Sequence, residues 1–148
     1  SAGITSSDSD NAPSAAPGTT LTATGVNLVI NGIGSSGRTR FYVFQGDSGG
    51  NQVTGTFANG SGTTVVKDGT GTWAFAGTSQ YTGTTTVNNG TLRFARQTAL
   101  YNNTPASWTA ANLNVKSGAT LAFNVGGTGE FTAGNVTTLL ANLADSSS

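Results

Sequence analysis

The side chains that could support acid–base or metal chemistry are few in this chain. None of its 148 residues is histidine or cysteine, which removes the most common general base and the thiolate metal ligands. A pair of carboxylates could still cleave a glycosidic bond, so the acidic residues are the starting point for any catalytic site. They are Asp8, Asp10, Asp47, Asp68, Glu130 and Asp145.

These acidic residues do not form a pair in the sequence. Beyond residue 20, no two of them are close together, so a catalytic pair would have to be assembled by the fold. The simpler interpretation is that they are solvated or cap turns, because a carboxylate accepts hydrogen bonds from nearby backbone amides. We predict that the chain is not an enzyme, and a polysaccharide-degrading enzyme is the weakest alternative.

One segment, GDSGGN at residues 46–51, has the composition of a metal-binding loop. Calcium requires about six or more oxygen ligands, and calcium-binding solenoids repeat a Gly/Asp nonapeptide along the chain. GDSGGN occurs once, so we interpret it as a turn. We predict no metal site and no cofactor.

Aromatic rings could form a stacking platform for a sugar, because they combine a flat apolar face with a polar group. Trp73 has the same sequence parity as its apolar neighbours, so we interpret it as a core residue. Trp108 lies in an irregular stretch and is a candidate surface contact. Tyr42 and Phe44 are two further candidates, because their strand, RTRFYVFQ, has large side chains on both faces.

Two lysines, Lys67 and Lys116, each precede a glycine by two residues. Lys67 has the parity of the apolar side chains, so we expect its aliphatic stem to cover the edge of the core while its ammonium group reaches water. An isopeptide bond between a lysine and an asparagine is the alternative, and it would lower the intact mass by one ammonia.

Residues 65–94 indicate how these side chains must be positioned. Large residues and glycines alternate there with Thr and Ala, and a period of two is typical of strands. At residues 88–90 the phase shifts by one, and Asn and Gly tolerate the positive φ of a corner. Short strands that turn around one apolar interior predict a β-solenoid. The motif residues are Lys67, Gly69, Gly71, Trp73, Phe75, Gly77, Tyr81, Gly83, Thr85, Val87, Gly90, Leu92 and Phe94.

This stretch resembles the autotransporter-associated β-strand repeat, also called the passenger-associated transport repeat, of large bacterial secreted and surface proteins. Trp73 and Phe75 stand where the family usually has Leu, and Ser79 stands where Asn is common. The resemblance implies a right-handed parallel β-helix, export from a bacterium and no activity of its own. It is carried by Lys67, Gly69, Gly71, Gly77, Tyr81, Gly83, Thr85, Val87, Gly90 and Leu92.

The corner at residues 87–94 recurs at residues 115–123. Gly118 follows Gly90 by 28 residues, whereas Leu121 follows Leu92 by 29, so the second copy carries one extra residue. Recurrence at a period of about 20 to 50 residues is typical of a stacked solenoid.

We predict three segments. Residues 1–20 are rich in Ser, Ala and Pro and nearly free of large apolar side chains, so we expect a flexible tail or linker. Residues 21–134 form the solenoid. Residues 135–145 form a short amphipathic helix, since Val136, Leu139, Leu140 and Leu143 recur at helical spacing and Asn135 can cap its start.

The charge balance indicates which partners to expect. Only 8% of the residues are charged and the net charge is zero, so we expect no nucleic-acid partner, which would require a basic patch. No apolar run reaches the roughly 18 residues of a membrane helix, so we expect no membrane insertion. Weak charge repulsion favours a homo-oligomer, assembled end to end or through the tail. The absence of Met predicts a processed product or an excised piece.

Three hypotheses from different classes follow. We favour a non-catalytic structural module of a secreted or cell-surface bacterial protein, with self-assembly into an extracellular filament or fibre as its sharper form. The alternative is a glycan-binding or adhesive module that uses Trp108. A polysaccharide-degrading enzyme is the third. We expect an extracellular or cell-surface location.

Overall fold

The chain forms a solenoid whose strands alternate between two sheets, as described by a computed structural model for residues 2–7, 18–34, 39–58 and 62–144. From the second strand onwards, each strand of one sheet is followed by a strand of the other. Successive strands therefore lie in different sheets, and each sheet pairs strands from neighbouring coils.

The first sheet, sheet A, contains six strands within the described residues. The first two pair antiparallel, and every later neighbour pairs parallel. In spatial order the strands are β1 (Ala2–Ser7), β2 (Gly18–Ala23), β4 (Phe41–Gly46), β6 (Thr64–Lys67), β8 (Thr85–Val87) and β10 (Leu113–Val115).

The second sheet, sheet B, contains five strands in the described part of the chain, and all of them pair parallel. Parallel pairing of strands from successive coils is the arrangement that a solenoid requires, so the predicted all-β solenoid with a C-terminal helix is confirmed. In spatial order the strands are β3 (Val29–Ile30), β5 (Asn51–Val53), β7 (Thr72–Phe75), β9 (Thr91–Phe94) and β11 (Thr120–Phe123).

A third side of the solenoid is less regular. Single parallel bridges join Ile33 to Phe57 and Phe57 to Ser79. One coil later this side is replaced by three short 3-10 turns, at Gln97–Ala99, Tyr101–Asn103 and Pro105–Ser107. The irregular stretch that contains Trp108 therefore closes the third side of a coil.

Aromatic side chains fill the interior of the solenoid. Because strand residues alternate between faces, every second side chain of each strand points inward. Rings from successive coils touch along the axis, with centroid separations of 5.0 Å for Phe44–Phe75, 5.9 Å for Phe57–Phe75 and 5.7 Å for Phe75–Phe94. The predicted inward orientation of Trp73, Phe75, Val87 and Leu92 is confirmed, since each is at most 1% exposed.

The two copies of the corner lie directly above one another. Val115 pairs with Val87, and Leu121 pairs with Leu92, so the register matches the offsets of 28 and 29 residues. The extra residue of the second copy falls in the corner between these pairs. The repeat read from the sequence is therefore confirmed.

The C-terminal helix α1 covers Ala133–Ala144. Asn135 was predicted to cap its start, but Thr132 occupies that position. The Asn135 amide donates to Thr132 Oγ1 at 3.1 Å, and the Thr132 amide donates to Asn135 Oδ1 at 2.8 Å. This reciprocal pair is the geometry of a capping box, which places the start of the helix two residues earlier than predicted.

Helix α1 packs on the core with a narrower face than its sequence predicted. Leu139 is 1% exposed, and Val136 and Leu143 pack against the buried cluster. Leu140, predicted to share this face, is 64% exposed, because only the i, i+3 and i+7 positions face the solenoid.

Strand β1 lies within residues 1–20, where a flexible tail was predicted. It pairs with β2 over six positions, from Ala2 opposite Ala23 to Ser7 opposite Gly18. Edge pairing uses backbone hydrogen bonds, so it does not require the large apolar side chains that are scarce in residues 1–20. The predicted boundary at residue 20 falls inside β2.

Candidate functional site

The motif glycines mark the places where neighbouring coils approach most closely. A Cβ atom at Gly69, Gly71, Gly77, Gly83 or Gly90 would meet backbone atoms of the preceding coil. At Gly69, for example, it would lie 2.6 Å from the Gly46 carbonyl oxygen. The glycines of the repeat are therefore required by contact between coils.

Lys67, at the end of β6, fills the corner beside Gly90 with its side chain. It is completely buried, and its Nζ donates to the carbonyl oxygens of Asp68, Gly69 and Asn89 at 2.6, 2.7 and 3.0 Å. An ammonium group has three donors, and here each one has an acceptor. Since Asn89 belongs to the next coil, this lysine joins two successive corners.

Burial lowers the pKa of Lys67 to about 8, and the neighbouring Asp68 carboxylate opposes that change. The ammonium form therefore still predominates at neutral pH. Asp68 accepts hydrogen bonds from the Asn89 side chain at 3.2 Å and the Gly69 amide at 2.8 Å, and these lower its own pKa. The corner thus contains a buried cation whose charge is matched by oriented carbonyl groups and a nearby carboxylate.

The prediction that the Lys67 ammonium reaches water is wrong, although its inward parity is correct. The interior accepts the charge because three backbone oxygens converge on it, and a buried charge needs such partners. The acceptors are backbone oxygens, whereas an isopeptide bond would need the side-chain amide of an asparagine.

Tyr81 and Thr85, two further motif residues, form a buried chain of hydroxyl groups with Tyr101. The Tyr101 hydroxyl donates to the Asn112 carbonyl at 2.7 Å, so its one proton is committed there. The Thr85 hydroxyl, 3.0 Å from Tyr101 and 2.8 Å from Tyr81, therefore donates to Tyr101 and accepts from Tyr81. Burial raises the pKa of Tyr101 to about 12 and raises that of Tyr81 further.

The three predicted surface contacts are corrected by the structure. Trp108 and Phe44 are 0% exposed and Tyr42 is 7% exposed. Trp108 donates to the Leu100 carbonyl at 3.3 Å and packs against Phe131, because the 3-10 turns fold its ring over the end of the core. In β4 the outward apolar residues are Phe41, which is 38% exposed, and Val43.

The acidic residues of the described part of the chain each cap a turn. Asp47 accepts from the Gly25 amide at 3.0 Å, and Asp68 accepts from Gly69 as above. Glu130 accepts from the Gly127 amide at 2.8 Å and from the Asn124 side chain at 3.3 Å. Across the described ranges, no group of three or more Asp and Glu residues could hold a metal ion. The turn-capping interpretation fits these contacts.

Asn51 was missed in the sequence, where it was read as part of a turn. It begins β5 and is 1% exposed. Its Oδ1 accepts from the Leu28 amide at 2.9 Å, while its Nδ2 donates to the Ser48 carbonyl at 2.7 Å and the Thr72 carbonyl at 3.0 Å. One side chain thus links three coils. The only signal for this role in the sequence was the position of Asn51, directly after a glycine-rich turn and at the start of a strand.

The fold and the corners define a solenoid repeat whose motif residues pack between coils, and one comparison with known proteins agrees with this. Residues 65–94 match the family model of the passenger-associated transport repeat. Comparisons with curated proteins and with solved structures found no match. None of the described helical segments combines the length and the hydropathy of a membrane-spanning helix.

Proposed function

We propose that this chain is a non-catalytic structural module of a secreted or cell-surface bacterial protein, in which a stiff solenoid provides extension or display. The observation that carries the proposal is the column of aromatic rings that runs along the solenoid axis, in which Phe57 contacts Phe75 and Phe75 contacts Phe94. It continues past Phe94 to Phe123 at 6.1 Å and from Phe123 to Phe131 at 4.8 Å. Side chains in such a column resist bending because every coil packs against the next.

The secreted or surface location is supported by the match of residues 65–94 to a repeat described by passenger-associated transport. The motif residues in this stretch serve packing: glycines where coils meet, Lys67 in a corner and Trp73 in the core. None of these roles leaves a reactive group open to a substrate, which favours a scaffold over an enzyme.

The sharper form of the proposal is self-assembly. β1 and β10 are the outermost strands of sheet A in the described part of the chain. Val115 in β10 has the inward parity of Val87 but is 37% exposed, because β10 has no further coil beyond it among the described residues. A second copy that placed its β1 against β10 would extend sheet A and cover Val115. Open sheet edges readily accept such a strand.

Analytical ultracentrifugation over micromolar to millimolar protein tests this assembly. We expect the mean mass to rise with concentration, and Val115→Lys to suppress the rise by placing a charge at the edge. Phe41→Lys is the matched control, since Phe41 is also exposed, at 38%, but lies in β4, which is paired on both sides and has no open edge. A mass that stays monomeric at every concentration rejects self-assembly and leaves the structural module intact.

The non-catalytic part of the proposal has its own test. Purified protein is incubated with a panel of polysaccharides, and the release of reducing ends and of unsaturated sugars is measured. We expect no release above a heat-denatured control. Turnover that is lost on substitution of Asp47, Asp68 or Glu130 would overturn the proposal.

A further inference from the structure

A cavity of about 370 Å³ opens on the third side of the solenoid, where the 3-10 turns replace the regular corner. Its floor contains the nearly buried rings of Tyr81 and Tyr101, which lie 5.2 Å apart between centroids. Its rim carries the side chains of Gln80, Asn102 and Thr104. We refer to it below as the side cavity.

The chemistry of the side cavity is polar and uncharged. Among the described residues, none that lines it is acidic or basic. Asn and Gln side chains offer a donor and an acceptor each, and hydroxyl groups offer both. In the described part of the chain, the side chains of Gln80, Asn102 and Thr104 have no hydrogen-bond partner. The rim therefore presents several unused donors and acceptors without a net charge.

The backbone beside the side cavity is strained. Tyr101, Asn102 and Asn103 have φ angles of 49°, 49° and 54°, in the left-handed region. Asn enters this region readily, so the strain is that of Tyr101, whose bulky side chain makes the conformation uncommon. The turn is held by bonds from the Asn103 amide to the Leu100 carbonyl and from the Thr104 amide to the Tyr101 carbonyl, both 3.1 Å.

The buried hydroxyl chain secures this strained turn from below. The Tyr101 side chain is fixed by its donation to the Asn112 carbonyl and by the bond from Thr85. With its first residue fixed, the turn places Asn102 on the rim, where it is exposed. Strain that the surrounding structure maintains in this way is typical of a binding site.

From these observations we propose that the side cavity binds a neutral saccharide unit. A charged ligand would lack a counter-charge in the lining, and an apolar ligand would leave the rim amides and hydroxyls unpaired. A sugar carries several hydroxyl groups, each able to donate and accept, and these match the Asn102, Gln80 and Thr104 side chains. This site replaces the buried Trp108 as the place where the solenoid would contact a glycan.

The test uses isothermal titration of the whole chain with cellohexaose, maltohexaose and chitohexaose, and with oligogalacturonate as an acidic comparison. We expect at least one neutral oligosaccharide to bind and the acidic one to bind at least tenfold more weakly. If none of the three neutral oligosaccharides binds at millimolar concentration, the proposal is wrong. It is also wrong if oligogalacturonate binds as tightly as the neutral oligosaccharides.

Two glycine substitutions separate the ligand contact from the fold. Asn102→Gly removes the rim amide, and Asn103→Gly is the matched control, since both positions are exposed with similar positive φ and only Asn102 lines the side cavity. We expect similar shifts of the melting temperature in both variants, but at least a tenfold loss of affinity only in Asn102→Gly. Equal affinities in the two variants would show that the sugar binds elsewhere.

Gln80→Ala provides a second rim substitution that leaves the strained turn unchanged. We expect it to weaken binding several-fold without changing the melting temperature, because Gln80 is exposed and its side chain lines the side cavity. Unchanged affinity in both Gln80→Ala and Asn102→Gly would overturn the assignment. The self-association measurement is independent of these titrations, so either proposal can fail alone.

Discussion

The corners at Gly90 and Gly118 have similar local sequences and opposite surroundings. Both glycines have positive φ, 62° and 82°. A Cβ at Gly90 would lie 2.5 Å from the Gly69 carbonyl oxygen and 2.8 Å from Lys67 Nζ, whereas a Cβ at Gly118 would have nothing within 4 Å. The extra residue of the second copy closes that corner on itself, through a bond from the Ala119 amide to the Lys116 carbonyl.

This difference shows that a repeat motif does not by itself make a residue structurally important. The inner corner, at Gly90, packs against the corner of the preceding coil that contains Lys67, and Val87 beside it is 0% exposed. The outer corner, at Gly118, lies in the last coil that the structure describes, where Val115 is 37% exposed. In a solenoid, stability comes from contacts between neighbouring coils. The Gly118 corner also has a preceding coil, but with its extra residue it does not approach that coil as closely, so the same motif residue matters less there.

The largest expected effect is that of Gly90→Ala against Gly118→Ala. Both substitutions carry the cost of a left-handed conformation, about 1–2 kcal/mol. Only Gly90→Ala also forces a methyl group against carbonyl oxygens of the preceding coil, so we expect a loss of about 2–5 kcal/mol there and about 1–2 kcal/mol at Gly118. Urea denaturation followed by circular dichroism measures both. Equal losses in the free energy of unfolding would mean that the Gly90 corner accommodates the added methyl group as easily as the Gly118 corner does.

The next effect compares the two lysines of these corners. Lys67→Met keeps the aliphatic stem but leaves three buried carbonyls without a donor, and we expect a loss of about 2–4 kcal/mol in the free energy of unfolding. Lys116 is exposed, so Lys116→Met should change it by less than about 0.5 kcal/mol. The same denaturation experiment applies. A Lys67→Met variant as stable as the native chain would mean that the carbonyl cluster does not depend on the ammonium group.

The smallest expected effect is a pH dependence that arises from the inner corner. Between pH 8 and about 10, the unfolded chain still holds the Lys67 proton that the folded chain has released. The free energy of unfolding should therefore rise with pH in this range, by an amount of the order of 1 kcal/mol, because the unfolded chain binds more protons than the folded chain.

Above about pH 10 the trend should reverse. Unfolded tyrosines then lose protons that Tyr81 and Tyr101 retain in the folded chain, since burial raises the pKa of both. Denaturation midpoints measured from pH 7 to pH 11 locate the maximum. We expect Lys67→Met to lose the rise and keep the fall, while Lys116→Met shows both. A native chain with constant stability from pH 8 to 10 would contradict the lowered pKa of Lys67.

Much of the fold follows from patterns that are local in the sequence. The alternation in residues 65–94 and the phase shift at Gly90 predicted which side chains point inward, because strand geometry fixes the period at two. The recurrence at residues 115–123 predicted the stacking and its one-residue offset. The candidate surface contacts could not be predicted in the same way: Trp108 lies in an irregular stretch without a period, and only the packing of the 3-10 turns buries it.

The sequence by itself determined the solenoid and its inward face, since alternation and positive-φ corners are properties of neighbouring residues. The tertiary structure alone decided what each corner contacts. It brings the Asn89 carbonyl to Lys67 from another coil, pairs β1 with β2 through backbone atoms, and holds Tyr101, Asn102 and Asn103 in a strained turn over a hydroxyl chain. These contacts join residues that are far apart in the sequence, and no local pattern encodes them.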